Sequence, residues 1–220
     1  MISDTQIKAN IDALQQTIPQ DVTLIAVTKY HTLEETQGVI NAGVLDLGEN
    51  KVQDFLKKYE AIDSPVRWHF IGHLQTNKVK AIIGKTYLIH SVDSLKLLKK
   101  INNESIKESV TTSVLLQFNL ALETSKSGFL YEDLAEILAE VPALTNIQVK
   151  GLMCIGPMTK DSDKIRKIFM QLKEMYDKIK SGNHSENIRM DVLSMGMTDD
   201  YPLAIASGST MVRIGRKIFK

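Results

Sequence analysis

Apolar positions along the chain alternate between two rhythms. Short runs of β-forming residues at 24–29, 44–47, 67–71, 87–90, 110–118, 149–155, 190–193 and 210–214 read as strands. Between them, apolar residues recur three and four apart. Ile7, Ile11, Leu14 and Ile18 form one such stripe, and Val52, Phe55, Leu56 and Tyr59 a second. Leu95, Leu98 and Ile101 follow, then Leu130, Leu134, Ile137, Leu138 and Val141. The clearest helix carries Ile165, Ile168, Phe169, Leu172, Met175, Tyr176 and Ile179 on one side. Ser3 with Gln6, and Thr32 with Glu35, have capping-box spacing, Gly43 stops the second helix, and Pro142 ends the sixth.

Eight strands, each separated from the next by a helix, imply parallel pairing with right-handed crossovers. That count favours an α/β fold of one closed (β/α)₈ TIM barrel over residues 1–220, with an additional N-terminal helix. No helix follows the eighth strand, and the N-terminal one is expected to cover that gap. A Rossmann-like open sheet is the competing fold. It is weakened because Gly196 stands alone and no G-x-G-x-x-G follows the first strand.

Composition narrows the function classes. The chain has 220 residues, 43% hydrophobic and 24% charged, with 27 basic against 26 acidic side chains and a net charge of +1. Such a balance gives no electrostatic case for nucleic acid or a membrane surface. No apolar run is long enough to span a bilayer, and the N-terminal stretch is polar, so a cytoplasmic protein is expected. Cys154, the single cysteine, excludes an internal disulfide and reads as a small buried hydrophobe. His69 and His73 lie on one strand pattern, where four steps separate them by about 13 Å, so they cannot share a metal. No other cluster has ligand spacing, and no metal is expected.

The active face of a barrel collects the C-terminal ends of its strands. Those ends offer Lys29, Asn50, His73, Ser91 or Asp93, Asn119, Met153, Ser194 and Arg213. Ser194-Met195-Gly196 after strand seven and Arg213-Ile214-Gly215-Arg216 at strand eight suit an oxyanion held by backbone amides. Closure puts strand eight beside strand one, hence Lys29 beside that cradle. A nearby cation and partial burial favour the free amine, which can attack an aldehyde. Pyridoxal phosphate fits these parts, and so does a phosphosugar paired with Lys29. The spacing alone leaves both open.

Several segments extend the comparison. Ala26-Val27-Thr28-Lys29, Gly48-Glu49-Asn50-Lys51-Val52-Gln53, His69 through Lys78, Gly151-Leu152-Met153, Leu193-Ser194-Met195-Gly196-Met197 and Val212 through Arg216 run in order along the chain. Together they resemble the pyridoxal phosphate homeostasis protein family, the YggS/PROSC group. That family is similar in fold to the barrel domain of alanine racemase, a fold-type III arrangement. The resemblance implies pyridoxal 5′-phosphate (PLP) as cofactor, bound to Lys29 as an aldimine. It places Ser194 and the amides of Gly215 and Arg216 on the phosphate, Arg213 at the pyridine nitrogen, and Asn50 and His73 along the pocket. A cation at the ring nitrogen disfavours its protonation and weakens the cofactor as an electron sink. With strand eight six residues from Lys220, no second domain carrying the racemase's opposing tyrosine is expected. The resemblance therefore implies a non-catalytic protein of intracellular vitamin B6 homeostasis that buffers or delivers PLP and affects amino-acid and keto-acid pools. A small racemase-like PLP enzyme is the alternative, and a phosphosugar-binding barrel a more distant one. Apo PLP enzymes are possible partners, and a monomer is expected. Lys51 stands where the family commonly has an aromatic residue.

Overall fold

The computed structural model describes residues 2–220 and shows a closed barrel of eight parallel strands in sequential order. The strands are β1 (Thr23–Val27), β2 (Asp46–Glu49), β3 (Arg67–Phe70), β4 (Leu88–Val92), β5 (Thr112–Phe118), β6 (Ile147–Cys154), β7 (Ile188–Ser194) and β8 (Met211–Ile214). The helices are α1 (Asp4–Gln15), α2 (Leu33–Asn41), α3 (Val52–Ala61), α4 (Val79–Ile82), α5 (Leu95–Lys107), α6 (Leu134–Glu140), α7 (Ser162–Ser181) and α8 (Tyr201–Ala206). Closure comes from β8 on β1, with Ile25 opposite Arg213 and Ala26 opposite Ile214. The barrel expectation holds, and the open sheet is excluded.

The first helix packs on α2, while Thr17 Oγ1 lies 2.9 Å from the Tyr201 hydroxyl at the start of α8. Asn10 donates its side-chain amide to the carbonyls of Ile218 and Lys220. The first helix is thus tied to α2, to the start of α8 and to the segment after β8. Thr32 and Glu35 complete a reciprocal capping box at α2. At α1 only half a box forms, because the Gln6 side chain turns to Asn10 instead.

Two apolar regions hold the fold. The larger lies between sheet and helices, where alternate strand residues such as Ala26, Leu47, Phe70, Leu116, Leu152 and Val212 meet the helix stripes. The smaller, Ile25, Leu88, Leu115, Met153 and Met211, fills part of the barrel interior. The rest of that interior is polar.

Three boundaries differ from expectation for physical reasons. β1 stops at Val27, so Lys29 stands in the turn that follows rather than on the strand face of Ile25 and Val27. β2 runs two residues further than expected, through Gly48. A Cβ there would sit 2.9 Å from Ile25 Cγ2, so the glycine is a packing requirement inside a strand, not a breaker. The sixth helix is short, with a 3-10 turn at each end.

Candidate functional site

Lys29 follows a tightly held residue. Thr28 is fully buried, and its hydroxyl donates to Glu49 Oε1 at 2.6 Å. Lys58, reaching in from α3, donates to the Thr28 carbonyl and to the same Glu49 oxygen, both at 2.6 Å. Glu49 and Lys58 are themselves buried, so the ends of β1 and β2 are tied to α3 by a desolvated ion pair. The turn then tightens through His31 N–H to the Thr28 carbonyl, with Tyr30 in the left-handed region at φ 69°. The Lys29 side chain is half-buried and its ammonium lies 5.7 Å from the Tyr30 ring centre. Lys51 approaches the same ring to 5.3 Å. Sequence reasoning missed the Glu49–Lys58 pair, because only the fold brings residues nine apart on a strand and a helix together.

Across the barrel seam, Gly215 packs on β1, where a Cβ would lie 3.0 Å from the Val27 carbonyl oxygen. Among the described residues, the amides of Gly196, Gly215 and Arg216 make no loop or turn hydrogen bond. Arg216 pairs with Asp199, drawing the loop before α8 against this turn. That loop presents Thr198, half-buried, whose hydroxyl and amide likewise make no hydrogen bond among the described residues. The Arg213 amide donates to the Gly196 carbonyl at 3.0 Å, so the segments that carry these donors, after β7 and after β8, lie side by side. Thr198 is the residue the sequence did not single out, although it lies in the same segment as Ser194.

Ser194 is placed differently. It has no exposure, accepts from Arg213 Nη1 at 2.6 Å, and lies 3.0 Å from His90 Nδ1. Its hydroxyl is therefore engaged inside the barrel. Arg213 is 4% exposed and donates its second Nη to the Cys154 carbonyl at 2.9 Å. No carboxylate is within ion-pair distance of it among the described residues. Burial pushes its pKa down, with Cys154 and Asp200 opposing, and burial pushes Asp200 up. A desolvated guanidinium whose protein partners are both neutral still has donors to offer a ligand.

Asn50 is half-buried beside this region, and its Oδ1 is a buried acceptor without a protein partner. His73 is more exposed and is tethered through Nδ1 to Asp93 at 2.9 Å. Lys29, Asn50, Arg213, Gly215 and Arg216 thus gather at the C-terminal mouth, with His73 at its rim. His69 and His73 are apart, one buried in the barrel and the other exposed, and the described residues hold no cluster of metal ligands. A cleft of about 510 Å³ lies at the opposite mouth, lined by Gln15, Pro19, Gly43, Asp46 and Arg67 among others. It is lined by the N-terminal ends of β1, β2 and β3, away from the C-terminal ends where barrel chemistry gathers.

A closed parallel barrel with a lysine in the turn after β1 and a glycine turn after β8 points to a class, and the alanine racemase N-terminal domain model matches residues 2–220. An alanine racemase from Streptomyces lavendulae superposes with a TM-score of 0.79 at 16% identity, over 98% of this chain and 56% of the racemase, which shows the shared fold. PipY of Synechococcus elongatus PCC7942, solved with PLP bound, aligns with a TM-score of 0.90 at 30% identity, covering 97% of this chain and all of PipY. The pyridoxal phosphate homeostasis protein of Helicobacter pylori strain 26695 is 42% identical over 202 residues, 90% of this chain and 87% of the relative. The chain belongs to the pyridoxal phosphate homeostasis protein family, within the alanine racemase N-terminal domain class.

Proposed function

We propose that this chain binds pyridoxal 5′-phosphate at the C-terminal mouth of its barrel and serves intracellular PLP homeostasis. In this reading it buffers or hands on the cofactor in the cytoplasm rather than catalysing a reaction with it. The observation that carries the reading is Arg213, a buried cation with neutral protein partners on β8, the strand that pairs with β1 and leads into the Gly215–Arg216 turn. PLP supplies an aldehyde that an unprotonated amine can bond reversibly, an aromatic ring and an anionic phosphate. Each has a counterpart here. Lys29 provides the amine, and its backbone is held by Thr28, Glu49 and Lys58. The amides of Gly196, Gly215 and Arg216 hold the phosphate together with Thr198, which we assign there in place of Ser194. Arg213 faces the ring nitrogen and keeps it unprotonated, while Asn50 and His73 border the ring.

The test is the visible absorption of the purified protein with PLP, followed by borohydride reduction and peptide mapping. Reductive labelling should map to Lys29, and Lys29→Ala should lose the absorption of the lysine-bound cofactor. A label elsewhere sinks the assignment. The racemase-like fold supports the alternative of a small enzyme with one lysine base. A stereochemical assay across the amino acids decides between them: Lys29-dependent racemisation above background favours the enzyme. Release of PLP to an apo PLP enzyme, faster than release to buffer, would support delivery to a partner.

A further inference from the structure

A hydrogen-bonded line of side chains runs through the barrel interior, and only its upper end belongs to the site above. At the N-terminal mouth Arg67 donates to both oxygens of Asp46, at 2.6 and 2.5 Å. His69 Nε2 lies 2.9 Å from Asp46 Oδ1, and His69 Nδ1 lies 2.9 Å from His90 Nε2. His90 Nδ1 then meets Ser194 Oγ, which accepts from Arg213. Five strands, β2, β3, β4, β7 and β8, contribute one link or more. Both imidazoles are fully buried, while Asp46 and Arg67 line the cleft at the far mouth.

With both imidazoles neutral, the direction of every proton in this line follows from Asp46. Asp46, ionised against Arg67, can only accept, so His69 carries its proton on Nε2. Neutral His69 then accepts at Nδ1, which obliges His90 to donate from Nε2. His90 accepts in turn at Nδ1, and the Ser194 hydroxyl must donate to it. Ser194 is left presenting its oxygen to Arg213, whose guanidinium is a donor only.

We propose that His69 and His90 are positioning residues: they hold the Ser194 hydroxyl turned into the barrel, so that it seats Arg213, and they make that seat answer to Asp46 at the opposite mouth. The proposal rests on the reading of Arg213 as a ligand-facing group. The groups facing the pair are few. His69 meets Asp46, Arg67, His90 and the edge of Tyr87, and His90 meets His69, Ser194 and Arg213. Burial pushes the pKa of both imidazoles down, and Arg213 adds to this at His90. A proton on the pair would reverse His90 Nδ1 from acceptor to donor and set a second cation beside Arg213.

The test is histidine tautomer detection by long-range ¹H–¹⁵N NMR on the full chain, with ¹⁵N-histidine labelling and assignment through His69→Gln and His90→Gln. In the PLP-free protein at neutral pH, both imidazoles should carry the proton on Nε2. Asp46→Asn should mix the His90 tautomers two links away and weaken PLP binding about tenfold, with the label still on Lys29. His90 protonated on Nδ1 in the wild type overturns the proposal. So does a folded Asp46→Asn protein in which neither His90 nor PLP affinity changes. If Asp46→Asn does not fold, the wild-type tautomers decide alone. If the wild type takes no PLP, the binding reading fails, and the tautomers still test the interior line.

Discussion

Single residues at the mouth of the barrel show how little room the site leaves. A Cβ at Gly72 would lie 2.1 Å from the Asn50 carbonyl oxygen and 2.6 Å from its Cα, both backbone atoms. The turn after β3 is therefore pressed directly on the turn after β2. Gly72→Ala should cost about 2 kcal/mol or more, since neither backbone can yield without moving Asn50. Urea denaturation checks this, and an unchanged midpoint would contradict the contact. Cys154 is the opposite kind of residue, inert by placement. Burial pushes its thiol up to about 12, so a disulfide reagent at pH 8 should leave the native protein unmodified and react only after denaturant is added. That result would agree with the sequence expectation of a small buried hydrophobe.

Among the elements, the tie between β1, β2 and α3 decides where the amine stands. Lys58 reaches from α3 to the last residue before Lys29 and to Glu49, and all three groups are out of water. Removing one charge leaves the other buried and unpaired. Glu49→Ala should therefore lose about 3–5 kcal/mol of stability. Replacing Glu49 and Lys58 together by Met should lose less than Glu49→Ala alone, because no stranded charge remains. Thermal denaturation of the two proteins gives the comparison, and equal or reversed losses would show that the pair is not acting as a buried ion pair. On the proposed assignment of Lys29 as the PLP-binding amine, loosening of the Thr28 carbonyl should also slow reductive labelling at Lys29 in the double variant.

For the whole molecule, the polar barrel interior implies a pH dependence. The unfolded chain's histidines titrate near 6.5, whereas burial holds His69 and His90 below that in the folded protein. Between those values the unfolded state binds more protons, so stability falls as pH drops below about 6.5. The slope is at most about 1.4 kcal/mol per pH unit for each group. Asp46 pulls the same way at lower pH. Burial opposes its charge, yet hydrogen bonds from His69 and Arg67 outweigh that and hold its pKa below the ordinary carboxylate range. Its contribution is present above the unfolded value near 4 and is lost on further acidification. Denaturant midpoints from pH 8 to 5 should decline, and His90→Gln should flatten the part of the slope near 6. A flat profile in the wild type would mean that the interior histidines charge freely.

Strand and helix periodicity, set by the two spacings of backbone geometry, is local, and so the eightfold alternation could be read directly from residue order. The same holds for the recurrence of polar groups where apolar runs stop, which located Lys29, Asn50, Arg213 and the Gly215 turn at one mouth. What residue order could not decide was direction and partnership. Whether Gly48 breaks a strand or fits inside one depends on Ile25 on the neighbouring strand β1. Whether Ser194 faces a ligand or the interior depends on His90, 104 positions away in the chain. Glu49 finds Lys58, and Asp46 finds His69, only because closing the barrel fixes the register of every strand against its neighbours. Buried polar groups must then find partners or remain costly, and it is this requirement, enforced in three dimensions, that chose them.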